Sequence, residues 1–495
     1  MRVVIVGGGT AGWMTAVGLK TVFGGRLDLS LVESDEIGIV GVGEATIPPI
    51  QIFNQLIKLD EDAFVRETQA TFKLGIEFVD WHTKGERYIH AFGGIGAPVG
   101  NISFHHYWLR SQALGKKDSF WAHSLNAAAA AQGRFSREHL DDNPFKSLVY
   151  AFHFDAGLYA QYLRRLGEAI HVRRIEGKIT GVAQDGETGH VTALTLSDGR
   201  RVEGEFFVDC SGFRGLLIEE TLKSGYEDWT HLLPADRALA VPCERVNPIT
   251  PFTRATARDA GWQWRIPLQH RTGNGHVFST AFTSVDAAAD LLMANLDGKA
   301  LAEPREIRFT TGRRKTPWIK NVVAMGLASG FLEPLESTSI HMVQSALQRL
   351  IKLFPRNGVT EAGRDEYNRQ THREYERIRD FIILHYKANC RDDTEFWRYC
   401  ANLKVPDSLS EAIELFRATG NLSQRTDDLF TENSWLQVLL GQGVQPQAFH
   451  PLADRLRDQD LDEFLDNIRV LANGPVGKMP FHDDYIRQHC ASREL

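Results

Sequence analysis

The first residues of the chain have the spacing of a phosphate-binding turn. Gly7, Gly9 and Gly12 satisfy G-x-G-x-x-G, with Thr10 and Ala11 inside the pattern. They follow the β-branched run Arg2-Val3-Val4-Ile5-Val6 and precede Trp13–Leu19, which reads as a helix. Strand, tight turn and helix N-terminus in this order hold the pyrophosphate of a dinucleotide. Gly7 makes the turn, Gly9 admits phosphate to the backbone, and Gly12 lets helix and strand close up. Free N–H groups and the helix dipole then face the anion. A second strand, Leu27–Val32, ends in Glu33, about twenty residues on, where an acid would hold a ribose hydroxyl. The glycine pattern alone is weak. With strand, helix, second strand and acid all in order, a glycine loop in some other α/β protein becomes the poorer reading.

Other stretches carry reactive side chains whose local pattern is ambiguous. Gly41-Val42-Gly43-Glu44-Ala45-Thr46-Ile47-Pro48 is a second glycine-rich loop, suited to backbone lying against a ligand or to an ordinary turn. Phe72–Trp81 alternates as one strand, with Lys73, Gly75, Glu77, Val79 and Trp81 on one face. Taken alone, Lys73 reads as a solvated edge lysine. His90 and Phe92 fall in the returning strand and read as core residues. Trp262 and Trp264 share one face of a β-like segment, the usual pattern of packed rings. Phe331–Ser339 leads into a helix over Ile340–Phe354, whose N-terminus Ser337 or Thr338 would cap, or where an anion would sit.

Composition bounds what these elements belong to. A chain of 495 residues is long for one core and predicts two joined lobes. A net charge of -7 argues against nucleic acid as the main partner. No apolar run reaches membrane-spanning length. The chain starts directly on a strand, so no signal peptide is expected. Five cysteines without C-x-x-C spacing fit a reducing cytoplasm and no structural zinc; no metal site is expected. After Phe354 the pattern is mainly helical. Asp365–Tyr386 reads as a helix with a solvated, charged face, and Pro475-Val476-Gly477 as the start of an extended tail.

Taken together, these motifs resemble the flavin-dependent tryptophan halogenases. Val6–Trp13 looks like their FAD fingerprint, and Gly41–Pro48 like their second FAD loop. Trp262-Gln263-Trp264-Arg265-Ile266-Pro267 matches W-x-W-x-I-P, which separates them from related flavin monooxygenases. Phe331–Thr338 matches their cofactor and halide segment. The similarity runs to about Trp397 and thins beyond.

The resemblance implies an α/β fold: a Rossmann-type, flavin monooxygenase-like FAD lobe with a large β-sheet carrying Lys73 and Trp262, over residues 1–340. A mainly helical lobe over 341–495 would close the substrate site. It implies that FADH2 from a separate NAD(P)H-dependent reductase reacts with O2 and halide, chloride or bromide, to give hypohalous acid. Lys73 would hold or carry that oxidant, and Glu336 would act on the ring. Gly7, Gly9, Thr10, Ala11, Gly12, Glu33, Glu44, Ala45, Leu327 and Ile340 would bind the cofactor, and the backbone of Thr338 and Ser339 the halide. His90, Phe92 and Trp435 would line a small aromatic substrate. A homodimer is compatible with the reading. A flavin-dependent hydroxylase, or an FAD-binding protein without turnover, would keep the fingerprint but have no use for Lys73 with Trp262 and Trp264.

Two features depart from the family pattern. Ser339 stands where a glycine is usual, which adds a Cβ and resists positive φ, predicting a reshaped halide site. Leu422–Ser434 lacks the tyrosine-rich closure over the amino-acid backbone of tryptophan. That favours free or substituted indole over tryptophan.

Overall fold

The computed structural model describes residues 1–36, 43–356, 358–423 and 428–492. Gly41 and Val42 of the second glycine loop lie outside the described residues, as does 424–427 of the C-terminal segment. Strand Arg2–Val6 is central to a six-stranded sheet. Its neighbours are Asp28–Glu33 and Phe206–Asp209, both parallel to it. Val3, Val4, Ile5 and Val6 are all buried, the continuous apolar run of a strand covered on both faces. Helix Thr10–Phe23 follows and is buried continuously from Gly12 to Leu19. It packs between helices Ala156–Ala169 and Ser339–Lys352.

A seven-stranded sheet forms the second layer, antiparallel except where Thr253–Arg258 runs beside Gly75–Val79. Strand Gly261–Pro267, with Trp262 and Trp264, lies in its interior. Lys73 is not part of it. The predicted single strand Phe72–Trp81 is broken at Leu74, whose N–H donates to Pro251 O (2.7 Å) instead of continuing a ladder. Thr71–Lys73 joins a separate three-stranded sheet as an edge strand beside Ala151–Asp155, while Gly75–Val79 enters the large sheet. The break lets Lys73 leave the large sheet and turn toward the cofactor side.

The C-terminal part is helical, as its pattern predicts. The long helix Glu361–Lys387 is not solvated along its length: Asp380 through Tyr386 are buried without interruption. They pack on the large sheet, where Trp81 meets Tyr386 (5.2 Å between ring centroids) and Trp397 (5.3 Å). The segment after Pro475 is not an extended tail. It folds into helix His482–His489, with Val476, Ile486 and Cys490 buried. No described helix is long and apolar enough to cross a membrane.

Candidate active site

A cavity of about 630 Å³ runs from Gly7–Ala11 past Glu33 and ends against Trp264, Leu332 and Ser337–Ile340. Its volume falls within the range of small-molecule and cofactor sites. At the glycine end, Gly7 takes φ +109°, and a Cβ there would stand 2.4 Å from Cys210 O. Behind it, a Cβ on Gly12 would lie 1.8 Å from Gly7 O, so helix and strand meet as the motif requires. Gly9 faces open space, leaving room for a phosphate against the backbone. Gly8, which the motif leaves free, is also close to a neighbour: a Cβ would overlap the Glu33 carboxylate, 1.4 Å from Oε2, and displace it. Arg174 fixes that carboxylate by donating to Oε1 (2.5 Å), with Arg164 at 3.7 Å. Thr10, Ala11, Glu44, Ala45, Leu327 and Ile340 line the same cavity. These residues fit an adenine dinucleotide, with pyrophosphate on the glycine turn and ribose at Glu33.

The reactive groups lie at and behind the other end of the cavity, where Ser337 forms the wall. Lys73 is fully buried, and its Nζ donates to Ser337 Oγ (2.8 Å). Burial lowers its pKa to about 7, against the opposing pull of Glu336 and Glu44. A substantial share of neutral amine therefore exists at neutral pH. Burial raises the Glu44 carboxyl to about 7, offset by the Ala45 N–H and by Lys73. Ser337 meets Lys73 because the chain turns sharply there. The short 3-10 helix Pro334–Glu336 ends at Ser337 with φ 56° and ψ 39°, and helix Ser339–Lys352 begins two residues on. Neither Ser337 nor Thr338 caps that helix through its side chain. The Ser337 hydroxyl serves the lysine instead. The left-handed residue is Ser337, so Ser339 sits in an ordinary helical conformation and its Cβ costs no backbone strain. Thr338 and Ser339 both line the cavity at the helix N-terminus, where first-turn N–H groups lack helical acceptors.

On the side of Lys73 away from the glycines, aromatic rings gather. Phe92 lies 5.4 Å from Lys73 Nζ. The adjacent His90 donates through Nδ1 to both Glu336 oxygens, at 3.0 and 2.9 Å. His385 Nε2 lies 2.8 Å from Glu336 Oε1. Burial alone would raise the Glu336 pKa, but these two histidines outweigh it and hold the carboxylate at about 2. Phe381 and Phe430 stack at 3.9 Å and sit 5.8 and 6.3 Å from the His90 ring. Trp435 meets this group at Phe381 (5.2 Å). Trp264 lines the cofactor cavity, whereas Trp262 lies behind it against Trp81.

The sequence reading named Lys73, Glu336, His90 and Phe92, and they form one contiguous group. It missed Ser337 as a partner for the lysine, Arg174 as a partner for Glu33, and His385, Phe381 and Phe430. The apolar run Phe381-Ile382-Ile383-Leu384 inside a charged helix was the available signal for the buried end of that helix.

A family model described as tryptophan halogenase matches residues 2–458, so the match continues past Trp397. The tryptophan 7-halogenase RebH of Lentzea aerocolonigenes is 33% identical over 98% of both chains. Among solved structures, a flavin-dependent halogenase from Xanthomonas campestris superposes with a TM-score of 0.97 at 49% identity, over 100% of this chain and 99% of that one. BrvH, a flavin-dependent halogenase from Brevundimonas sp. BAL3, gives 0.95 at 47% identity over 98% of each chain. The glycine-turn cavity, the W-x-W-x-I-P strand and the buried lysine therefore sit in a chain that belongs to the flavin-dependent tryptophan halogenase family of oxidoreductases.

Proposed function

We propose that the protein halogenates an indole-type aromatic ring with hypohalous acid that Lys73 receives and passes on. The observation that carries this reading is the place of Lys73. Its amine touches Ser337 on the cavity side and lies 5.4 Å from the Phe92 ring on the aromatic side. When bound, FAD reduced by a separate NAD(P)H-dependent reductase supplies hypohalous acid from O2 and halide. Gly7, Gly9, Thr10, Ala11, Gly12, Glu33, Glu44, Ala45, Leu327 and Ile340 hold that cofactor. The N-terminus of helix Ser339–Lys352 holds the halide through the backbone of Thr338 and Ser339. With its pKa near 7, Lys73 has two forms to use. The ammonium donates a hydrogen bond that polarises the oxidant, and the neutral amine accepts the halogen from it with loss of water.

His90, Phe92 and Trp435 line the ring, which stacks against aromatic faces. Glu336, kept ionised between His90 and His385, stabilises the cationic ring intermediate and takes its proton. The substrate in this reading is free or substituted indole rather than tryptophan. Two carboxylates of the C-terminal segment are already engaged: Asp428 with Arg377 and Glu432 with Ser103. Ser339 at the halide position favours bromide over chloride. The free cysteines fit action in the cytoplasm. Mass spectrometry of indole and tryptophan after incubation with FAD, a flavin reductase, NADH and each halide tests these points together. Brominated indole that disappears in Lys73→Ala is the expected result. Oxygenated product with no halogen would overturn the reading. Saturable halogenation of tryptophan with a KM well below that for indole would overturn the substrate assignment.

A further inference from the structure

Strand Thr71–Lys73, which carries the lysine, is the outer strand of its sheet. One edge pairs with Ala151–Asp155. The other edge has no neighbouring strand among the described residues, yet Thr71, Phe72 and Lys73 are all fully buried. A buried edge must still satisfy its outward N–H groups, because an unpaired one costs about 1–3 kcal/mol. The Phe72 N–H has a partner 410 residues away: it donates to His482 Nε2 at 3.1 Å.

The rest of the geometry fixes the state of that ring. Its Nε2 accepts from an amide that can only donate, so Nε2 carries no proton. Its Nδ1 faces Ile249 O at 3.1 Å and therefore carries the proton it donates. Burial lowers the pKa of this histidine to about 4, in keeping with a neutral ring. The ring is itself held from several sides. The His482 N–H donates to Gly133 O (2.8 Å). The neighbouring Asp483 carboxylate accepts from Ile249 N (3.0 Å) and Arg245 (2.8 Å). Phe72 stacks on Phe135 at 4.1 Å and meets the His482 ring at 6.1 Å. The last helix is thus pinned at its start, and it presents one acceptor to the residue beside Lys73.

We propose that His482 is a positioning residue for Lys73: its ring stands in for the absent neighbouring strand and fixes where the amine sits. It touches neither cofactor nor substrate. Its effect falls on the capture of hypohalous acid by the lysine, while formation of the oxidant goes on unchanged. This rests on the reading of Lys73 as the carrier of the oxidant.

Two amide variants separate the two faces of the ring. In His482→Gln the side-chain oxygen reaches the place of Nε2 and still accepts from Phe72. In His482→Asn the amide reaches only the place of Nδ1, toward Ile249, and the Phe72 N–H is left unpaired. Each variant is run as the full chain with FAD, reductase, NADH, bromide and indole. Two products are read: brominated indole by mass spectrometry, and released hypobromous acid by bleaching of a dimedone scavenger. The expected result is that His482→Asn lowers the ratio of brominated ring to released oxidant by about tenfold or more, the scale set by a small misplacement of a reacting group. Total oxidant stays constant, and His482→Gln keeps the wild-type ratio. Equal ratios in the two variants would overturn the proposal. So would a proportional fall of both products in His482→Asn, which marks general loss of structure. If wild-type protein forms no oxidant, the halogenase reading fails separately. Hydrogen exchange at the Phe72 amide then decides: faster exchange in His482→Asn than in His482→Gln supports the clamp, and equal exchange rejects it.

Discussion

The two ends of the cavity are built by opposite means. At the glycine end, backbone does the work. Gly7 and Gly12 are fixed by backbone contacts that any Cβ would violate, Gly8 is set against the Glu33 side chain, and all three lie between strand Arg2–Val6 and the first turn of the helix. At the lysine end, side chains do the work, and they come from the whole chain: Lys73, His90, Ser337, Glu336 and His385. The first end is a local solution that tolerates few residue types. The second is an assembly in which each group depends on distant segments packing correctly. On the proposed reading, the glycine end binds and the lysine end sets the fate of the oxidant.

Substitutions at each end should give different kinds of failure. The largest effect is expected at Lys73. Lys73→Ala should lower ring halogenation by about 100-fold or more, the scale of a lost catalytic proton or charge partner, while oxidant release and FAD binding persist. Loss of FAD binding in that variant would erase the contrast between the ends. Glu336→Gln comes next. It leaves His90 and His385 without a carboxylate and removes the base, so a fall of about 10–100-fold in kcat is expected, again with oxidant still formed.

Acid should also weaken the lysine end. His153 and His482 flank its strand, and burial lowers both pKa values, that of His482 to about 4. The unfolded chain takes up protons on these rings before the folded one does. Their contribution to stability is full above about pH 6.5 and is lost as pH falls from there toward 4. Thermal melts should show Tm dropping across that window, and His482→Gln should flatten part of the drop. Gly8→Ala should act at the other end alone. Its Cβ displaces the Glu33 carboxylate, and a loss of about tenfold in FAD affinity is expected, with the ratio of halogenated ring to released oxidant unchanged. The smallest effect is expected from Ser339→Gly, where no strain is relieved. A change of about twofold to threefold in the bromide-to-chloride rate ratio would accord with a reshaped halide site, on the scale of well under 1 kcal/mol. An unchanged ratio would remove Ser339 from the account of halide choice.

The same contrast explains what was legible in the sequence. The glycine turn, the first two strands and Glu33 were readable because spacing along the chain is their geometry. Lys73 was ambiguous because alternation says which face a residue takes but not whether a strand breaks at Leu74. Its partner Ser337 looked like a helix cap, since a hydroxyl before a helix usually is one. The left-handed turn that redirects it has no signature in a serine. His385 sat within a stretch rich in charge, and only the apolar run before it marked the buried turns of that helix. Arg174 and His482 gave no local signal, because their partners lie 141 and 410 residues away. Long-range pairing of that kind is set by packing, which a one-dimensional pattern does not record.

The bond between Phe72 and His482 also has a consequence for how the molecule comes into being. During synthesis the dinucleotide turn emerges early, but its sheet partner Phe206–Asp209 and its covering helices Ala156–Ala169 and Ser339–Lys352 follow much later. Strand Thr71–Lys73 emerges soon after that turn, but its outer edge has no cover until residue 482 has been translated and released from the exit tunnel. Even once the last residues lining the cavity, up to Tyr375, have emerged, the edge strand carrying Lys73 still waits for its partner. The order of translation thus leaves the strand carrying Lys73 without its edge partner until a segment 410 residues further along has emerged.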